Sequence, residues 1–241
     1  MEITQQVAFV TGAGRGLGKH FVAELQRRGV TKIYAAVRNP ESIDVPGVVP
    51  VRLDVTDDAT VTAAAELAQD VTLLVNNAGV SALAPFVKGD IDAIRHEMDV
   101  NFWGVLRTVR AFAPVLGANG GGAILNVLSQ MAFRVFGIAD SYSASKAAAW
   151  QLTNGVRLEL AGQGTQLTAL LMALVDTDMS AWAKPEDGWD LARPEDVVGA
   201  ALDGVEAGVA EVYGDEMTRA WRARLGEPIE SLYPEAFAHR A

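Results

Sequence analysis

The sequence predicts an α/β protein, a doubly wound sheet of about seven parallel strands with helices on both faces. Three observations carry that expectation. Short β-prone runs recur along the chain with stretches of helical period between them. The runs are apolar throughout rather than alternating, as expected of strands covered on both sides. The first of them opens directly onto a glycine-rich turn and then a helix.

Composition narrows the functional classes. The chain has 241 residues, half of them hydrophobic and 21% charged, which suits one domain spanning residues 1–241 with a sizeable core. A net charge of -10 with no long basic run argues against a nucleic-acid partner. There are no cysteines, so disulfides and thiolate metal sites are excluded. His20, His96 and His239 share no ligand spacing, and no metal is expected. The longest apolar run, Leu167 to Val175, is too short to span a bilayer. The start, Met1 to Thr4, lacks a signal-peptide pattern. These readings predict a soluble cytoplasmic protein without a membrane partner.

Val7-Ala8-Phe9-Val10 reads as the first strand. It feeds Thr11-Gly12-Ala13-Gly14-Arg15-Gly16-Leu17-Gly18 and a helix with Phe21, Val22 and Leu25 inward. Strand, glycine loop and helix N-terminus together let backbone N–H groups approach a pyrophosphate. The strict G-x-G-x-x-G spacing is absent, because Leu17 and Lys19 stand where its third glycine would be. The pattern present is T-G-x-x-x-G-x-G. Gly29 ends the helix, and Lys32 to Val37 forms the second strand. An acidic residue near that strand's end would bind an NAD ribose, but Arg38 follows instead, with Arg15 in the loop. Guanidinium groups pair with phosphate oxygens, so NADP(H) is favoured over NAD(H).

Val48 to Leu53 makes a third strand ending at Asp54. Thr56-Asp57 then caps a helix through Ala68. Leu73-Leu74-Val75 opens onto Asn76-Asn77-Ala78-Gly79, asparagines that bind ligand or tie strands together. A loop from Ser81 to Lys88 precedes a helical stretch, and Asn101 lies within it or at the start of the next helix, which ends near Gly117. After a triple-glycine turn, Ala123 to Leu128 forms a fifth strand with Ser129 at its carboxyl end, where open parallel sheets bind ligands. Tyr142-Ser143-Ala144-Ser145-Lys146 then begins an alanine-rich helix. Its tyrosine and lysine share a face, and a nearby ammonium is expected to lower the phenol's pKa so that it trades protons with a carbonyl or alcohol oxygen. Thr165 to Ala173 is a sixth strand. The segment 176–194, with Trp182, Pro185 and Trp189 and no clear period, reads as a lid loop. Pro194 starts a last helix, Glu211 to Tyr213 is a short strand, and a tail from Gly226 (Ile229, Leu232, Tyr233, Phe237) is expected to dock.

Taken in order, the Thr11–Gly18 loop, Asp54, Asn76–Gly79, Asn101, Ser129 and the Tyr142–Lys146 pair resemble the classical short-chain dehydrogenase/reductase family, from Val7 to about Tyr213. The resemblance implies a Rossmann-type NAD(P)-binding domain and an oxidoreductase. Tyr142 would be general acid in reduction and base in oxidation. Lys146 would hold the nicotinamide ribose, Ser129 the substrate oxygen, and Asn101 a water linking Lys146 to solvent. Cofactor contacts are implied at Gly12, Arg15, Gly16, Leu17, Gly18, Arg38, Asp54, Val55, Asn76, Ala78, Gly79, Val175 and Thr177, besides Tyr142 and Lys146. Asn76 would line the adenosine side and Asn77 brace the sheet. The family's Pro-Gly before the nicotinamide-contacting threonine is replaced here by Met172-Ala173, and Met172 is expected to pack in the core. The reading is an NADPH-dependent carbonyl reductase or secondary alcohol dehydrogenase, with Leu83, Ser129, Gln130, Phe133, Phe136, Tyr142, Trp182 and Trp189 facing a hydrophobic ketone, aldehyde or alcohol. An imine, enone or quinone reductase, or a non-catalytic NADP(H)-sensing protein, are the alternatives. The family commonly forms homotetramers, so a homotetramer or homodimer is expected.

Overall fold

The computed structural model describes residues 1–238; His239 lies outside the described residues. Seven strands form one sheet: β1 (Val7–Thr11), β2 (Lys32–Val37), β3 (Val49–Arg52), β4 (Leu73–Asn76), β5 (Gly122–Val127), β6 (Thr165–Leu171) and β7 (Glu211–Tyr213). Every pairing is parallel, in the order β3-β2-β1-β4-β5-β6-β7. The order reverses between β1 and β4, and the crevice beyond the carboxyl ends of such strands is where ligands bind. This is a Rossmann-type sheet, as the alternation of strand and helix predicts.

The helices are α1 (Gly16–Arg27), α2 (Asp58–Leu67), α3 (Ile91–Met98), α4 (Val105–Ala118), α5 (Asp140–Leu160), α6 (Pro194–Ala207), α7 (Glu216–Ala223) and the short α8 (Ile229–Leu232). Strand parity sorts the core into two layers. Ala8, Val10, Leu73, Val75, Ala123 and Leu125 face α1 and α6, meeting Phe21, Leu25, Val198 and Leu202. Phe9, Tyr34, Leu74 and Ile124 face the other way, onto Val61 of α2, Phe112 of α4 and Val156 of α5. Phe21, Leu25 and Phe112 are fully buried, each contributing roughly 1.5–3 kcal/mol of transfer free energy. The cap expected at Thr56-Asp57 forms through the aspartate, Asp57 accepting from the Ala59 N–H at α2, and a cap that was not anticipated forms at α3, where Asp90 accepts from the Asp92 N–H.

A buried chain of hydrogen bonds crosses the sheet between α4 and α5. Thr108 Oγ1 donates to Asn76 Oδ1 at 2.7 Å, and Asn76 Nδ2 to Asn126 Oδ1 at 2.9 Å. Asn126 Nδ2 donates to Thr153 Oγ1 at 2.8 Å, which donates on to the Ala149 carbonyl. It occupies the Asn76 side chain, whose amide faces α4, where a buried polar group must find partners, so a contact with the adenosine side would fall to the Asn76 main chain.

Three further differences have local causes. Helices α3 and α4 are joined by a π-helical turn, Asp99–Gly104, which contains Asn101. Helix α7 was not anticipated; it is short and charged, and its apolar positions are few. Of the tail residues expected to dock, Ile229 is half-exposed, whereas Tyr233 accepts from the Val135 N–H at 3.2 Å and its ring lies against Trp221. Met172 is buried in the core, as expected.

Candidate active site

The glycine loop is shaped by what its backbone must avoid. Gly12 has φ +65°, and a Cβ there would meet the Ala78 Cα at 3.0 Å. A Cβ on Gly18 would lie 2.0 Å from the Gly12 carbonyl oxygen, so only glycine lets α1 start this close to β1. Asn77 fixes the same corner: its side-chain amide donates to the carbonyls of Thr11 and Gly12 at 3.0 and 3.2 Å. Thr11 Oγ1 in turn accepts the N–H groups of Asn77 and Ala78. Asn77 therefore braces the sheet, as the sequence suggests. Thr11, the first residue of the T-G-x-x-x-G-x-G pattern, acts here as a positioning residue.

Helix α1 starts without a side-chain cap, so its first N–H groups keep their capacity for an anion. A cavity of about 350 Å³ opens beside it, lined by Gly16, His20, Asp176, Thr177, Asp178 and Ala181. Thr177 is held by a reciprocal pair with Ser180, and Val175 is buried and bridges to Ala192. That bridge closes the base of the 176–194 loop. A loop of uncapped N–H groups, glycines that a Cβ would disrupt and a cavity beside them fit the diphosphate of a dinucleotide. Leu17 is half-buried at the same helix start and packs against the core.

At the far side, Asp54 accepts the Thr56 N–H and Oγ1, both at Oδ1. Those bonds, with smaller help from the Arg38 charge, hold its carboxyl below the usual range. Arg15 and Arg38 are exposed and have no ion-pair partner among the described residues. Val55 is buried against the Gly104 backbone, so any ligand contact from it would use its main chain.

Ser129, Tyr142 and Lys146 come together beyond β5. Ser129 is buried; its Oγ donates to the Met172 carbonyl over a long 3.3 Å and accepts the Met131 N–H. Lys146 is buried, with Nζ donating to the Val127 carbonyl at 3.0 Å and lying 5.5 Å from the Tyr142 ring centre. Gly79 packs against this group, since a Cβ there would sit 3.3 Å from Asn101 Oδ1 and 3.5 Å from Lys146 Nζ.

The electrostatics correct one expectation. Burial pushes the Tyr142 phenol above its ordinary value; the Ser129 hydroxyl pulls it back and the Glu97 carboxylate pushes it further up. Burial also lowers Lys146 to about 8, against a smaller upward pull from Glu97. Desolvation of both groups thus outweighs the cation effect on the phenol that their spacing suggests. Asn101 is also more committed than expected. Its Oδ1 accepts the Val80 N–H, and its Nδ2 donates to the Val80 carbonyl and to Ser145 Oγ. The side chain ties the loop after β4 to α5, which leaves its main chain as the group available to a water.

Glu97 was not anticipated. It is fully buried, accepting the Ala82 N–H at 2.7 Å and the Ser141 hydroxyl beside Tyr142. Its only sequence signal is its position four residues before Asn101, on the same helix face.

The expected substrate contacts divide. Gln130 is buried behind Ser129, with its N–H on the Met172 carbonyl. Phe133 meets Trp150 edge to face at 6.0 Å, and Phe136 is half-exposed over Arg134. Trp182 and Trp189 are half-exposed and meet each other edge to face at 5.4 Å. Leu83, on the loop after β4, has an unusual φ of +48° and is half-exposed.

With that geometry in place, known proteins can be set beside the chain. The short chain dehydrogenase family model matches residues 6–187. An uncharacterised oxidoreductase of Staphylococcus aureus (strain MW2) is 32% identical over 213 residues, covering 83% of this chain and 90% of that one. A short chain dehydrogenase from Burkholderia cenocepacia, crystallised with NADP, is 40% identical, covers 98% of both chains and superposes with a TM-score of 0.92. One from Sphingobium yanoikuyae, crystallised with NADPH, is 25% identical over 95% of both chains, with a TM-score of 0.80.

Proposed function

Because the chain belongs to the short-chain dehydrogenase family and is an oxidoreductase of it, we propose that it is an NADPH-dependent carbonyl reductase, reversible as a secondary alcohol dehydrogenase. The observation that carries the reading is the meeting of Ser129, Tyr142 and Lys146 beyond β5, beside the strand-order reversal. The residues suited to hold the dinucleotide are Gly12, Gly16, Gly18 and Thr177 around the diphosphate, Asp54 at the adenine and Arg15 with Arg38 at a 2′-phosphate. The Burkholderia relative, crystallised with NADP, supports that choice. When bound, the nicotinamide supplies the hydride that reduces the carbonyl carbon.

The chain's own part is to orient the carbonyl and manage one proton. Ser129 Oγ exchanges its long bond to Met172 for one to the substrate oxygen, and the Tyr142 hydroxyl donates to the same atom. Negative charge that develops on that oxygen is met by both donors. Tyr142 then gives its proton to the oxygen, and its raised pKa keeps it protonated and ready as an acid throughout the neutral range. The Lys146 ammonium stabilises the tyrosinate left behind until a proton returns through Lys146 and a water held at the Asn101 main chain, which would link it to solvent.

The second copy of a homodimer or homotetramer would sit on α4 and α5. An apolar groove of about 610 Å³ runs between them, lined by Phe102, Leu106, Val109, Leu152 and Val156 among others.

The test is NADPH oxidation against a panel of aromatic and aliphatic ketones, with NADH in parallel and Tyr142→Phe as control. Turnover that prefers NADPH and falls at least about 1000-fold in the variant is expected, from loss of the proton donor. Cofactor binding without turnover of any carbonyl would overturn the reductase reading and leave a nucleotide-sensing role.

A further inference from the structure

Two buried side-chain polar atoms among the described residues have no hydrogen-bond partner, Gln130 Oε1 and Arg134 Nε. Both lie on the stretch between Ser129 and Tyr142. Both also face the same helix: Gln130 Nε2 contacts the Met217 sulfur at 3.7 Å, and the Arg134 guanidinium lies 4.1 Å from the Trp221 ring. Met217 and Trp221 are one turn apart on α7, so the two unpaired atoms lie along one seam.

Arg134 differs from the other partly buried arginines in having no acceptor for its guanidinium among the described residues; Arg157, which also has no carboxylate partner among them, donates to Asn154 and to the Leu167 and Ala210 carbonyls. Arg28 is paired with Glu24, Asp203 and Glu206, Arg107 with Asp58 and Asp99, and Arg222 with Glu211. Arg134 has no carboxylate within ion-pair distance among the described residues, in a chain of 30 acidic groups. The Phe136 and Trp221 rings both lie against its guanidinium, each ring centre 4.1 Å away. Stacking of that kind leaves the edge of a guanidinium for a planar acceptor; with Nε buried, the terminal Nη groups are the ones that would meet it. Glu235, Tyr233 and Arg224 are the charged or titratable groups in electrostatic range. Of these, Arg224 is already paired with Glu227. A half-buried guanidinium whose Nε has no acceptor, and which has no ion-pair partner among the described residues, is costly in a fold, unless a ligand supplies one.

Resting on the reductase reading above, we propose that Arg134 binds a carboxylate carried by the substrate away from its reacting carbonyl, so that the enzyme's substrate class is oxo acids with an apolar body. Phe133 with Trp182 and Trp189 serve that body, and the terminal N–H groups of Arg134 bind the acid in a bidentate pair. Specificity for an acid over its ester arises because only the acid pairs the buried charge.

The experiment compares 4-oxo-4-phenylbutanoate with its methyl ester, using NADPH, on the wild type, Arg134→Met and Arg134→Lys. The wild type is expected to favour the acid in kcat/KM by about 10–100-fold, chiefly through KM, as for one charged bidentate contact. Arg134→Met brings the ratio towards one and Arg134→Lys falls between, whereas a fold defect would move both substrates together. A second arm is independent of turnover: binding of 4-phenylbutanoate and 4-phenylbutanamide, which have no ketone, followed by calorimetry. Acid-selective binding that Arg134→Met removes supports the subsite even if no carbonyl is reduced, a result that would count against the reductase reading alone. A wild type that treats acid and ester alike, or an acid preference that survives Arg134→Met, overturns the subsite while leaving reduction of the ester to support the reductase.

Discussion

At the scale of single residues, the site works by desolvation more than by pairing. Lys146 is held near 8 because its ammonium is buried, so its charge is lost as pH rises through that value. With NADPH as the varied substrate, kcat/KM for ketone reduction is expected to fall above pH 8, since that parameter reports the free enzyme. Stability moves the other way. Between about 8 and the ordinary value of 10.5 the unfolded chain binds the extra proton, so this group's contribution to stability rises with pH across that window. A pH–rate profile read beside thermal melts separates the two; activity and melting temperature declining together would sink the assignment. Arg38 gives a second test. Replacing Arg38 by Asp removes a phosphate partner and offers a carboxylate to a ribose, and should shift the NADPH-to-NADH ratio of kcat/KM by about 10–100-fold towards NADH. An unchanged ratio would remove Arg38 from cofactor choice. The residues that were legible in advance, Ser129, Tyr142 and Lys146, stand at strand ends or at helical spacing, where sequence maps directly onto position. The Asn76 partners were not legible, because two adjacent asparagines at a strand's end point to opposite faces and only their neighbours decide what each one ties together.

At the scale of elements, the glycine loop is the most constrained part. Gly18→Ala would drive a methyl group into the Gly12 carbonyl, a backbone atom with no rotamer to retreat to. Overpacking of this kind costs about 1–3 kcal/mol, and the shift would also spoil the N–H groups at the start of α1. Lower melting temperature and at least tenfold weaker NADPH binding by fluorescence titration are expected; a variant matching the wild type in both would mean the loop relaxes freely. The strands and long helices could be read from the sequence because their apolar runs and periods are local signals. The π-helical turn carrying Asn101 could not, since one extra residue in a turn leaves no mark on composition. Helix α7 escaped for a related reason: its contribution is two side chains, Met217 and Trp221, whose value lies in what they face across the seam.

At the scale of the whole molecule, α5 joins two roles. Its first turn carries Tyr142 and its later turns line the groove assigned to a second copy. Gly155 opens on that groove, with no atom within 4 Å of where its Cβ would lie. Gly155→Arg adds bulk there without straining the helix and raises helix propensity. The wild type is expected to sediment as a dimer or tetramer and the variant as monomers, with NADPH binding kept. A monomeric wild type, or a variant of unchanged mass, would place the assembly elsewhere.

The hydrogen-bonded chain Thr108–Asn76–Asn126–Thr153 has a consequence for how such a chain can change over generations. Replacing any one member by an apolar residue strands its buried neighbours, at about 1–3 kcal/mol for each group left unsatisfied. Replacing the set together removes donors and acceptors alike and returns towards neutrality. The four positions therefore form one heritable unit, distributed over two strands and two helices, in which drift at one site is tolerated only when the others have already moved.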